Sequence, residues 1–244
     1  VLAFRRALAL NPAQALHYDG LGNSLWDLGE YEAMAGRDPE PRYREALGVL
    51  EEGVARNRRL RNLQSSLLEL NLQWARVRLE HGREAREALA GAERWIQDAP
   101  SDDWVFTYLR GLLHACRTVV RVRQGEASAG ESARALAALD QAQAINPRGA
   151  VIAVGRVDFA RWLRASGHPD PAVERAAVAG LTRALALDPH QPELNLAAAR
   201  LGLALGRNGA GPFGEPARIR SALAQARSGN RNLEGRIRPL EGGQ

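Results

Sequence analysis

The sequence predicts an all-α chain, built as a stacked array of antiparallel helix pairs. Three observations predict it. The first is composition: of 244 residues, 45% are apolar and 5% aromatic, with Ala and Leu dominant, a mix that favours helix over sheet. The second is a recurring break, in which "LNP" ends at Pro12, "DAP" at Pro100, "INP" at Pro147 and "LDP" at Pro189, while Arg58 and Arg231 take the Pro place in "ARNR" and "SGNR". These positions lie 42 to 47 residues apart, and a steady period in this range marks stacked supersecondary units. The third is the face that precedes each break. Five residues back stand Ala7, Gly53, Trp95, Ala142, Ala184 and Ala226; eight back stand Phe4, Leu50, Ala92, Leu139, Leu181 and Leu223. Twelve back stand Ala46, Ala88, Ala135, Ala177 and Ile219. Steps of three and four place these residues on one helical face.

Taken in order, residues 1–12 read as a lone second helix, since Phe4, Ala7 and Pro12 occupy second-helix positions with no first helix before them. An unpaired helix of this kind exposes an apolar face. The expectation is therefore that Val1 is not the native N-terminus and that more repeats or another domain lie upstream. Five pairs follow, with breaks near 12, 58, 100, 147 and 189, making eleven helices over 1–231. The first pair carries an acidic, two-proline insertion, "EAMAGRDPEP" (32–41). Residues 60–82 read as one unbroken helix opening the second pair. The third pair holds a Gly/Ser/Ala loop, "QGEASAGES" (124–132). At each break the residue ahead of Pro is pushed out of helical conformation, which ends the helix. Residues 232–244 read as a flexible Gly/Arg-rich tail, with Leu233 and Ile237 able to dock on the last pair.

The pattern resembles the tetratricopeptide repeat (TPR) family. Tyr18, Leu21, Gly22, Leu25, Gly29 and Tyr31 match its first helix, and Ala46, Leu50, Gly53 and Arg58 its second. The resemblance covers nearly the whole chain and implies a right-handed α-solenoid. It departs in period, since the family's usual unit is about 34 residues; one extra turn on each helix adds about 7. Trp95 at a normally small position is a second departure. The unit length, the turn "EYEAMAGRDPEPRYREAL" and the "RALALNP" ending are also similar to repeats that follow the kinase domain in bacterial serine/threonine protein kinases. That likeness implies a parent protein that phosphorylates protein hydroxyls, with this segment selecting substrates or regulators.

Little in the sequence points to chemistry. All 33 basic residues are Arg, which fits a GC-rich bacterial coding bias better than a nucleic-acid surface, so the +5 net charge reads as solvated helix faces. One cysteine, Cys116, excludes an internal disulfide and a thiolate metal cluster. No apolar run reaches membrane-spanning length, and no signal peptide is visible; the expected location is cytoplasmic. "GAGPFG" (209–214) has dinucleotide-loop glycines but follows an Ala/Leu helix rather than a strand, so it reads as a turn. His17, His81, His114, His168 and His190 fall in different units, and none has a ligand partner one helical turn away. A kinase's glycine-rich loop, catalytic Asp and metal-binding Asp-Phe-Gly are not found. No catalytic residue, metal or cofactor is nominated.

What the resemblance implies is a binding surface. In TPR arrays the first helices line a concave groove, and the family's groove positions fall on Asp19, Asn23, Trp26 and Asp27 in the first copy. In the second they fall on Ser65, Glu69 and Gln73, in the third on Thr107 and His114, in the fourth on Asp158 and Arg161, and in the fifth on Arg200. Trp26 is the best single candidate, since aromatic side chains anchor interfaces; packing against the first pair's insertion is its other reading. The carboxylate clamp of some TPR modules is not carried, because Asp19 stands at the Lys place and Ser66 replaces the second Asn. Charge is uneven: residues 13–41 hold six carboxylates and one Arg, whereas 217–244 hold six Arg and two Glu. The expected function is a scaffold that binds a peptide or protein. A regulatory repeat domain of a transcription regulator or a stress or antiphage sensor is the alternative, and an enzyme built on helical pairs is a third reading.

Overall fold

A computed structural model describes residues 1–97 and 99–241, with the side chains of 207–210, 212 and 231 outside the description. Among the described residues the regular structure is helical throughout. The chain forms two compact units, Val1–Pro100 and Ser101–Gln244. The first contains α1 (Leu2–Leu10), α2 (Ala15–Met34), α3 (Glu40–Arg56), α4 (Arg61–Glu80) and α5 (Arg86–Ile96). The second contains α6 (Trp104–Arg123), α7 (Ala129–Ile145), α8 (Ala150–Ala165), α9 (Pro171–Leu187), α10 (Pro192–Ala210), α11 (Pro216–Gly229) and α12 (Glu234–Glu241). Thus α1 stands alone, and α2/α3, α4/α5, α6/α7, α8/α9 and α10/α11 pack as pairs.

The two helices of a pair end by different local chemistry. Apart from α5, capped by Gln97, second helices end at Asn or Asp. Asn11, Asn57, Asn146, Asp188 and Asn230 leave helical conformation but keep one last N–H bond, to the carbonyls of Ala7, Gly53, Ala142, Ala184 and Ala226. The side chains of Asn57, Asp188 and Asn230 then accept the N–H two residues on, an Asx turn. This explains why Arg58 and Arg231 replace Pro without loss of the break: the capping residue before them makes the turn. First helices end at Gly36, Gly82, Gly125 and Gly167, with φ of 74°, 68°, 72° and 77°. The residue after each glycine donates to a carbonyl five positions back, the Schellman arrangement that favours Gly in left-handed backbone. A third recurring tie joins four of the first helices, α2, α4, α6 and α10, to the break before them. The side chains of Tyr18, Gln64, Thr107 and Asn195 donate to the carbonyls of Pro12, Arg58, Ser101 and Pro189.

The small-and-large face read from the sequence forms the contact between helices of a pair. Ala46, Leu50, Ala88, Ala92, Ala135, Leu139, Ala142, Ala177 and Leu181 are fully buried. A Cβ on Gly22 would stand 2.5 Å from Leu50 Cδ2, and one on Gly111 2.8 Å from Leu139 Cγ, so these glycines let the helices close until the leucine fills the gap. Trp95 is half-buried. Phe4 sits the same way on Gly20, while α1 has no buried residue and exposes Leu2 and Leu10.

"GAGPFG" holds a turn, as read: α10 kinks at Gly206 (φ 63°), and Gly211–Gly214 makes a 3-10 turn that buries Phe213. One segment departs from the sequence reading. The tail read as flexible carries α12 over Glu234–Glu241, because Leu233 and Ile237 are buried and Arg227 of α11 pairs with Glu234 and Glu241. Residues 242–244 of that tail, and Asp98 at the third break, lie outside the described residues.

Candidate functional site

In the first unit, α2 and α4 share a polar face. Asp19 Oδ1 accepts from Asn23 Nδ2 at 3.1 Å and from Ser66 Oγ at 2.9 Å. About three turns further along α2, Glu30 Oε1 accepts from Gln73 Nε2 at 2.8 Å and from the Tyr43 hydroxyl. Burial first, then the Glu30 carboxylate, push the Tyr43 phenol far up, so it stays a donor. Glu69, one turn from Ser66 and from Gln73 on α4, is held above the usual carboxylate range by burial. Trp26 is half-buried, with its indole N–H enclosed and without a hydrogen-bond partner. Asp27 is exposed, and Ser65 turns back to the Asn62 carbonyl. Of the residues expected here, the structure brings Asp19, Asn23 and Gln73 into ties between the first helices. Glu30, Ser66 and Tyr43 complete those ties and were not among the candidates. Among the described residues, no cation pairs with Asp19, Asp27 or Glu69.

The second unit treats its charges differently. Thr107 is fully buried, and its hydroxyl donates to the carbonyls of Ser101 and Asp103, so it serves the start of α6 and is closed to a ligand. His114 faces α7, where its Nδ1 lies 2.9 Å from Glu131 Oε1. Glu131, with 1% of its side chain exposed, also pairs with Arg117 at 2.9 Å and Arg134 at 3.2 Å. Burial alone would raise its pKa; the His114 hydrogen bond and the two guanidiniums outweigh burial and hold it below the usual carboxylate range. Asp158 is buried at 2% and takes a 3.0 Å bond from Arg161, one turn away on α8. Arg200 lies half-buried on α10. Thr107 and Asp158 are thus buried, and the half-buried His114 turns to Glu131 of α7. Glu131 escaped the sequence reading because a lone Glu in a Gly/Ser/Ala loop gives no sign of burial.

Among the described residues, no group of three or more His, Cys, Asp or Glu side chains is placed to hold a metal ion, and no helix is long and apolar enough to cross a membrane. Cys116, the one cysteine of the sequence, is buried and in no disulfide.

The sequence matches no protein-family model and no curated protein. The structure is similar to the crystal structure of a thermophilic TPR protein from Thermus thermophilus, with a TM-score of 0.58 and 22% sequence identity over 89% of this chain and 96% of that one. At that identity the likeness shows the fold alone: an all-α, TPR-like array of helix pairs.

Proposed function

We propose that this chain is a protein-binding module, and that the shared face of α2 and α4 is its contact surface. The observation that carries this reading is the state of the carboxylates there. Asp19 and Glu30 are held in place by neutral donors, Glu69 is half-buried, and Asp27 projects outward beside Trp26. A fixed acidic face with an aromatic neighbour suits a partner that brings Arg or Lys. The test is capture of partners on the purified chain beside its Trp26→Ala and Asp27→Arg forms. The expected result is a defined protein lost with both changes and weakened by salt. Equal capture by all three forms would sink the reading. The finer proposal is that the array follows the kinase domain of a bacterial serine/threonine protein kinase in the cytoplasm. Unit length, the "EYEAMAGRDPEPRYREAL" turn and the "RALALNP" ending support it, and the coding sequence upstream of Val1 tests it.

A further inference from the structure

An open surface cleft of about 740 Å³ lies between α7 and α9 of the second unit. It is built on second helices and shares no residue with the face discussed above. Its apolar walls are Ala144, Pro147, Ala186 and Leu187, and its charged groups are Asp140 and Arg183. Leu187 is 59% exposed, a large apolar side chain that the fold itself leaves uncovered. Arg183 has no ion pair among the described residues.

Behind Asp140 stands a buried cation. Arg156 of α8 has 2% of its side chain exposed, and its Nη2 donates to Asp140 Oδ1 at 2.6 Å. Its Nε is enclosed with no hydrogen-bond partner. Ten residues after the capping Asn, the matching place in α2 and α4 holds Leu21 and Leu67. The guanidinium fits between α7 and α9 because α9 carries Gly180, where a Cβ would stand 2.9 Å from Arg156 Cδ. A buried charge is costly unless well paired. Here the pairing is a single bond to a carboxylate that is itself 67% exposed. Asp140 is thus neutralised from behind, and Arg183 leaves the cleft with surplus positive charge on apolar walls.

We infer that the α7/α9 cleft binds an amphipathic organic anion, a carboxylate on an alkyl body. The carboxylate takes the fork of Arg183, whose planar donors match it in bidentate geometry. The alkyl body covers Ala144, Pro147, Ala186 and Leu187, as in apolar ligand clefts of this size with few polar groups. The proposal does not depend on the groove reading, since the two surfaces share no residue.

The test is calorimetric titration of the full chain with decanoate, decanol and decylamine, each below its micelle concentration. The expected result is saturable binding of decanoate, weak binding of decanol and none of decylamine. Arg183→Ala, an exposed position whose loss leaves the helical spectrum and melting unchanged, weakens decanoate by about tenfold or more. Leu187→Ser weakens decanoate and decanol together. No saturable decanoate binding at millimolar concentration, equal binding of all three amphiphiles, or an unchanged affinity in Arg183→Ala would each overturn the assignment.

Discussion

Glu69 in the first unit and Glu131 in the second are both glutamates withdrawn from water, and they are shifted in opposite directions. Glu69 is burdened by burial alone and is held above the ordinary carboxylate range. Glu131 is more deeply buried, yet His114, Arg117 and Arg134 hold it below that range. The difference teaches that burial does not set the state of a charge; the partners that arrive with burial do. It also separates two uses of the same residue type. Glu131 ties α6 to α7 and is fully occupied. Glu69 has no cation paired to it among the described residues, and the proposed partner would supply one.

The sharpest test of a shared frame beneath this contrast is the leucine common to both units. Leu50→Ala and Leu139→Ala remove equivalent, fully buried side chains that fill the gaps over Gly22 and Gly111. Each is expected to cost about 2–5 kcal/mol in urea unfolding, with the two losses alike; a large loss in one and none in the other would break the equivalence of the pairs. Next in size is Glu131→Gln, expected to cost about 1–3 kcal/mol at neutral pH, because three bases lose a buried carboxylate. The sign follows from its lowered pKa: the contribution is present above the ordinary carboxylate value and is lost as pH falls through the folded one. The gap between wild type and Glu131→Gln therefore closes on acidification, as paired urea curves across pH would show.

Smaller effects belong to the helix ends. Gly82→Ala and Gly125→Ala, one in each unit, place a Cβ on left-handed backbone with open space around it. Each is expected to cost about 1 kcal/mol, and a stabilised variant in thermal melts would refute the strain. The smallest effect, with the opposite sign, is Glu69→Gln. A raised folded pKa means that wild type carries its penalty above that pKa and sheds it as pH falls toward the ordinary carboxylate value. Glu69→Gln should melt higher than wild type at neutral pH and equal to it in acid. A lower neutral melting temperature would mean that the Glu69 carboxylate has a stabilising partner.

Much of the frame was legible. The Asn-Pro and Asp-Pro breaks and the Ala/Leu faces of the second helices are local features, and the helices end and bury where those residues stand. A second marker was present but unread: Gly36, Gly82, Gly125 and Gly167 recur with nearly the same spacing as the breaks and close the first helices. The candidate surface was less legible. Asp19, Asn23 and Gln73 were named as groove residues, and each makes a bond across to α4 or α2, or within α2. Thr107 and Asp158 shared the spacing of groove residues and proved buried, since spacing along a helix names a face and not its depth. Arg156 stands where α2 and α4 have leucine, and only Gly180, on another helix, makes room for it.

By itself, the sequence determined where helices begin, where they stop and which side of each is apolar, because capping and helical periodicity act over a few residues. Tertiary structure decided the charges. Asp19 meets Ser66 across 47 residues, His114 meets Glu131 across 17, and Arg156 meets Asp140 across 16. Whether a carboxylate is solvated, caged or left waiting for a partner depends on side chains brought to it by packing, and a Coulomb interaction takes its strength from distance and local dielectric, which the order of residues does not contain.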